Sequence, residues 1–167
     1  YGDSSLPPSG QCAVVGTTLA DRFLQFDEQT GIIRCESGVS LRALNRVFLQ
    51  RGWFTPVSTG TQFVTVGGMI ASDVHGKNHH RDGCFGAHVH DIKLRVADGR
   101  IITCSSKIHR DLFHATIGGM GLTGHILEAS FQLQSIASPW IWQESQRVDN
   151  IDEFITLLKE AGPTWPY

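Results

Sequence analysis

The order of apolar and polar positions divides the chain into strands set in hairpins, with helices between them. Phe23 to Phe26 and Ile32 to Cys35 are strand-like runs on either side of Asp27-Glu28-Gln29-Thr30-Gly31, which predicts a hairpin with a glycine-containing loop. Ser40 can cap a helix from Leu41 to about Arg51. Leu41, Leu44, Val47 and Phe48 give that helix one apolar face, and Gly52 stops it. Asp91 to Val96 alternates polar and apolar side chains, Asp98-Gly99 turns the chain, and Ile101 to Cys104 returns, the strongest hairpin signal present. A short helix is expected from Asp111 to Ala115, a strand from Ile126 to Leu133, and a last helix from about Asn150 to Ala161, ended by Gly162-Pro163. Strands in hairpins without regular strand–helix–strand repetition predict an α+β fold rather than a doubly wound sheet. Ser135 to Pro139 is linker-like, so residues 1–136 are read as one domain and 137–167 as a connection or the start of another.

Composition narrows the class. A chain of 167 residues, 41% hydrophobic and 18% charged, has the material for one globular domain with a real core. A formal charge of −2, with Lys and Arg scattered, gives no electrostatic footprint for nucleic acid. No apolar run approaches the roughly 20 residues that span a bilayer, and no signal peptide is visible. The chain begins at Tyr1-Gly2-Asp3 without Met, which reads as a fragment or a processed product. Its four cysteines, Cys12, Cys35, Cys84 and Cys104, form no CxxC pair, so free thiols and a cytoplasmic location are expected. Cys12, Cys35 and Cys104 lie in strand-like apolar runs and are expected in the core.

The chemistry concentrates between Thr59 and His80, TGTQFVTVGGMIASDVHGKNHH. Gly60, Gly67 and Gly68 leave the backbone bare, so N–H groups can approach a bulky anionic ligand. Gly67-Gly68 ahead of Met69-Ile70-Ala71 looks like a loop entering a helix N-terminus, a geometry that favours phosphate. A tight glycine turn between strand and helix would read the same way. His75, His79, His80, Cys84, His88 and His90 fall within sixteen residues and are dense enough for a transition-metal site. Gly76, Gly83 and Gly86 break that stretch into loops, which favours histidines bonded to backbone or ligand, and no dedicated metal site is predicted. Gly118-Gly119-Met120-Gly121-Leu122-Thr123-Gly124 has more glycine than a helix cap requires, and it suggests backbone packed against a flat ligand or another backbone. No triad, nucleophile elbow or Walker sequence occurs. A site of glycines with few ionisable side chains suits a protein that holds a reactive cofactor.

Together these residues resemble the FAD-binding domain of the vanillyl-alcohol-oxidase (PCMH-type) flavoproteins, and within it the branch that oxidises polyprenyl-phosphate sugars. The segments that carry the resemblance are Tyr1-Gly2-Asp3, Gly60-Thr61, Val64-Thr65-Val66-Gly67-Gly68, His75-Gly76-Lys77-Asn78-His79-His80, Ala97-Asp98-Gly99, and Asp111-Leu112-Phe113 through Gly118-Gly119 to Gly121-Leu122-Thr123-Gly124. The HGKNHH string is the most specific. Met120 and His125 depart from the pattern, standing where a small polar and an aliphatic residue are usual.

The resemblance implies a PCMH-type fold, incomplete at both ends, and FAD held non-covalently. Gly60, Thr65, Val66, Gly67 and Gly68 would line the pyrophosphate and ribityl chain through backbone N–H groups. Ser72, Asp73, Val74 and His75 would continue along the flavin, and Ile126 would hold the adenine edge through its main chain. Tyr1, Gly2, Asp3 and Ser4 would end a first phosphate loop, and His75 and Lys77 would face the isoalloxazine and the incoming sugar as catalytic residues. The implied reaction is oxidation of a secondary hydroxyl of a sugar or polyprenyl-phosphate sugar, with a partner reductase completing an epimerisation and membrane association through the lipid-linked substrate. A sugar-lactone or alditol oxidase is the alternative within the superfamily, and a histidine-rich metal-binding module the rival outside it. The chain by itself is expected to be inactive.

Overall fold

The computed structural model describes Gly10 and residues 13–165. Its centre is a five-stranded antiparallel sheet built from β1 (Phe23–Asp27), β2 (Ile32–Glu36), β4 (Val89–Arg95), β5 (Ile101–Ser105) and β6 (His125–Gln132), in the order β1-β2-β6-β4-β5. Two local hairpins, β1–β2 and β4–β5, are thus joined by β6, which inserts between them and pairs antiparallel with both. The turns fall at the predicted glycines, Gly31 (φ 74°) and Gly99 (φ 87°), where the left-handed backbone favours a residue without Cβ. This antiparallel sheet with flanking helices is the α+β architecture that the patterning predicts.

Strand alternation sends Ile33, Cys35, Ile92, Leu94, Ala129 and Phe131 to one face, where all are fully buried. Helix α1 (Leu41–Phe48) and helix α2 (Val66–Ala71) contribute to the same core through Leu44 and Phe48, and through Val66, Met69 and Ile70. Ser40 caps α1 as predicted, its side chain accepting the Ala43 N–H at 3.1 Å. The predicted helix tightens after Phe48 into a 3-10 turn over Leu49–Arg51 and stops at Gly52 (φ 80°). Val47 is 36% exposed, so the apolar face is narrower than the sequence suggested.

The other sheet face carries charge. Glu128 accepts Lys93 Nζ at 2.7 Å and Arg34 Nε at 3.0 Å, and Arg34 also reaches Asp91 at 3.4 Å. The hydrogen bond from Lys93 and then that from Arg34 hold the Glu128 carboxyl below its ordinary range against the opposing effect of burial. Its contribution to stability is therefore present above the usual glutamate pKa and is lost as pH falls through the lowered value.

Cys35 and Cys104 are buried free thiols as expected, and Cys12 lies outside the described residues. Burial, and secondarily the charge of Glu36, pushes the Cys35 thiol up to about 12. Two short strands, β3 (Trp53–Phe54) and β7 (Gln134–Ser135), pair in a separate ribbon that patterning did not predict. From 136 to 150 no residue lies in a helix or strand. Helix α5 (Ile151–Ala161) is capped by Asn150, which accepts the Glu153 N–H at 2.9 Å, and buries none of its residues.

Phe131, on the central strand, meets Phe85 with ring centroids 5.2 Å apart and is fully buried. Phe131→Ala should lower stability by about 3–5 kcal/mol, read as a shifted urea midpoint with unchanged slope. A loss under about 1 kcal/mol would show that the site collapses freely around the gap.

Candidate functional site

Helix α2 is fastened at both ends. At its start, Val66 N–H donates to the Val39 carbonyl and Gly67 N–H to the Ser37 carbonyl, each at 2.8 Å. Thr65 caps the helix, its hydroxyl accepting the Gly68 N–H at 3.2 Å. A Cβ on Gly67 would stand 2.9 Å from Ser37 Cβ, so glycine is what lets the helix start lie against the chain leaving β2. At the other end, Gly118 N–H donates to the Ile70 carbonyl at 3.0 Å and Met120 N–H to the Ala71 carbonyl at 2.7 Å. The second glycine cluster, which follows α4 (Arg110–Thr116), thus packs on the helix end. Cβ atoms on Gly119 and Gly124 would collide with the Ala115 and Arg95 carbonyls. Of the two expected packing partners, another backbone accounts for these two glycines.

Between the fastenings lies a cavity of about 270 Å³. Thr65, Gly67, Gly68 and Ala71 come to it from around α2, Thr17 and Ser37 from the segments beside β2, and Gly121, Gly124, His125 and Ile126 from the loop entering β6. Its wall offers hydroxyls, bare backbone and His125, and among the described residues no carboxylate lines it. A larger cavity of about 570 Å³ has Thr59, Gly60, Thr61 and Val64 along one stretch of chain and Val74, His75, Gly76 and Lys77 along another. A third, of about 390 Å³, shares Gly121, Gly124 and His125 with the first and adds Arg95, Val96 and Ala97.

The structure gathers most of the predicted residues, in two groups. Thr65, Gly67, Gly68 and Ile126 line the first cavity, and Gly60, Val74, His75 and Lys77 line the second. Three predicted residues line neither. Val66 is fully buried in the core. Ser72 ends α2, with its N–H donating to the Gly68 carbonyl at 3.1 Å. Asp73 (φ 41°) turns its carboxylate away to accept the Gly86 N–H at 2.7 Å. The expected row of N–H groups is also narrower than predicted, because those of Val66 and Gly67 already hold α2 to the chain after β2. Tyr1, Gly2, Asp3 and Ser4 lie outside the described residues.

The histidine-rich stretch is a loop system around the short helix α3 (His79–Asp82). His88 Nε2 lies 2.9 Å from the Asp82 carbonyl, and the His75 and His79 rings meet edge to face at 6.0 Å. Among the described residues no three His, Cys, Asp or Glu side chains gather as a metal-binding group. Thr17, Ser37, Ala71, Thr59, Thr61, Val64 and Gly76 also line the cavities, and the sequence reading gives none of them a binding role. Gly38, two residues past the end of β2, is the one faint signal, and a Cβ on it would stand 2.5 Å from the Thr17 carbonyl.

The glycines at these cavities differ in what fixes them. Among the described residues a Cβ on Gly60 would meet no protein atom within 4 Å, so this glycine admits no neighbour, whereas Gly121 has a left-handed backbone (φ 80°) that itself favours glycine. The sequence profile of the FAD binding domain family matches residues 2–105, and the chain belongs to that family of FAD-binding oxidoreductases. It is 37% identical over 164 residues to decaprenylphosphoryl-beta-D-ribose oxidase of Mycolicibacterium smegmatis, covering 97% of this chain and 35% of that protein. It is 27% identical over 123 residues to the mitochondrial D-2-hydroxyglutarate dehydrogenase of Bos taurus, covering 70% of this chain and 23% of the relative. A putative D-arabinono-1,4-lactone oxidase of Neurospora crassa is 25% identical over 131 residues, covering 78% and 23%. The chain thus spans about a third or less of the length of these relatives. Its cofactor is FAD. Among the described residues no helix is long and apolar enough to cross a membrane.

Two substitutions separate cavity from scaffold. Gly60→Val should leave folding intact and strip FAD from the full-length protein, since the added side chain meets only cavity space. Gly67→Ala should lower the melting temperature as well as FAD content, because its Cβ strikes Ser37. Normal flavin stoichiometry in purified Gly60→Val protein would remove Gly60 from the site.

Proposed function

We propose that this chain is the FAD-binding part of an enzyme that oxidises a secondary hydroxyl of a polyprenyl-phosphate sugar. One observation carries the reading: the larger cavity brings His75 and Lys77 together with the bare backbone at Gly60. FAD, when bound, supplies the hydride acceptor. Thr65, Gly67 and Gly68 border its diphosphate, Gly60 borders the ribityl chain, and the Ile126 main chain meets the adenine edge. His75 receives the hydroxyl proton at an imidazole nitrogen, and the Lys77 ammonium opposes the negative charge that builds on that oxygen. The relative named decaprenylphosphoryl-beta-D-ribose oxidase supports the lipid-linked sugar as substrate. A lipid-linked substrate brings the enzyme to a membrane surface, and a partner reductase acting on the keto product would complete an epimerisation.

A second reading is a sugar-lactone or alditol oxidase, favoured by the similarity to the putative D-arabinono-1,4-lactone oxidase. Flavin reduction in the full-length protein, followed near 450 nm with polyprenyl-phosphate ribose and with free lactones and alditols, separates the two. Reduction by the free sugars alone would sink the first. The loss of regular structure after Ser135 supports a domain boundary near 136. On this reading the segment alone does not turn over, since it spans 35% of the relative whose substrate it would share.

His75→Ala should lower turnover per bound flavin by about 10²-fold while FAD content stays near that of the wild type. Reduced stability with normal turnover per flavin would make His75 structural. FAD should also leave the protein on acid denaturation. Covalent members attach the flavin through a histidine of the first phosphate loop, and the family pattern puts Tyr1 at or near that place. Yellow colour retained in the acid precipitate would contradict non-covalent binding.

A further inference from the structure

Asn78 is fully buried, the only amide side chain among the buried polar residues of the described chain. It stands at the N-cap of α3, where asparagine ordinarily accepts an N–H of the helix's first turn. It makes no such bond. Its Nδ2 donates to the Pro56 carbonyl and to Asp82 Oδ2, both at 2.7 Å, and its Oδ1 accepts the Ser58 N–H at 3.4 Å. These partners fix the orientation of the amide, because two acceptors face the nitrogen and one donor faces the oxygen. Lys77 N–H adds a bond to the Ser58 carbonyl at 3.3 Å. Gly76 completes the contact, since a Cβ there would strike that same carbonyl and stand 2.8 Å from Asn78 Oδ1.

The two segments so joined run directly into the two stretches that line the larger cavity. Pro56 and Ser58 lead into Thr59-Gly60-Thr61, and Asn78 follows His75-Gly76-Lys77. His75 and Lys77 are themselves exposed, so little else packs against their side chains. We propose that Asn78 is a positioning residue whose buried amide sets the spacing of these two stretches, and thereby where His75 and Lys77 stand relative to bound flavin and sugar. The proposal rests on the assignment of this cavity to the flavin and substrate. It adds a residue that touches neither.

Asn78→Asp in the full-length protein tests it. The change is nearly isosteric and turns a donor into a carboxylate facing the Pro56 carbonyl and the Asp82 carboxylate. In protein stripped of FAD, hydrogen exchange should quicken at the Ser58 and Lys77 amides and stay unchanged in β6. In FAD-saturated protein, turnover per bound flavin should fall by about 10²-fold, the scale of a small misplacement of reacting groups. The double variant Asn78→Asp with Asp82→Asn restores a donor between the two side chains and should recover part of that loss. Unchanged exchange at Ser58 and Lys77, or full turnover per flavin, overturns the proposal. Exchange that quickens equally in β6 also overturns it, by assigning Asn78 to general stability. If Asn78→Asp does not fold, Asp82→Ala removes one of the bonds and must show the same local pattern for the proposal to stand. If the wild type binds no FAD, the functional reading fails while the exchange data still decide whether the clamp exists.

Discussion

The start of α2 lies closer to the end of β2 than any residue with a side chain could allow. At Gly67 the missing Cβ would stand 2.9 Å from that of Ser37, and the Val66 and Gly67 N–H groups close the contact by donating to the Val39 and Ser37 carbonyls. That approach seats a six-residue helix in the core, with Val66, Met69 and Ile70 fully buried. Six residues are too few to hold a helix by propensity, so its existence depends on tertiary contacts. Once seated, its last carbonyls at Ile70 and Ala71 hold Gly118 and Met120, which shapes the glycine loop before β6. The small cavity is the space left between these two fastened ends.

Glycine therefore does two different jobs here. Gly67, Gly119, Gly124 and Gly76 are glycine because protein backbone or Ser37 occupies the place of a Cβ. Gly60 has no neighbour there among the described residues, and Gly121 is glycine because its backbone is left-handed (φ 80°). The two kinds look identical in the sequence. A side chain at a position of the first kind costs stability before it can affect a ligand, whereas a Cβ at Gly60 meets no described protein atom.

Features that depend on near neighbours were legible. Both hairpins, the Ser40 cap, the helix beginning near Asn150 and the stop at Gly52 follow from local turn and cap chemistry. The glycine stretches also led to the cavities, since Gly60, Gly67 and Gly68 line them. What could not be read depends on partners distant along the chain. β3 and β7 pair across some eighty residues, with Trp53 opposite Ser135, and two-residue strands carry no periodicity. Ser37 and Thr17 reach the cavity only because β2 ends beside α2. The N–H groups at Val66 and Gly67 were expected to face a ligand, and no local rule shows that Val39 and Ser37 already use them.

The HGKNHH string shows the same division at side-chain level. In it the charged or titratable residues His75, Lys77, His79 and His80 are exposed, and the neutral amide between them is fully buried. The amide donates to the Pro56 carbonyl and to the Asp82 carboxylate without burying a charge of its own. Asparagine also presents an acceptor to the Ser58 N–H, which lysine or arginine could not. Gly76 is restricted by the Ser58 carbonyl and Asn78 by three partners, so two residues of the string are dictated by packing before any ligand is considered. His75 and Lys77 are exposed on the wall of the larger cavity, and the proposed function is what accounts for their identity.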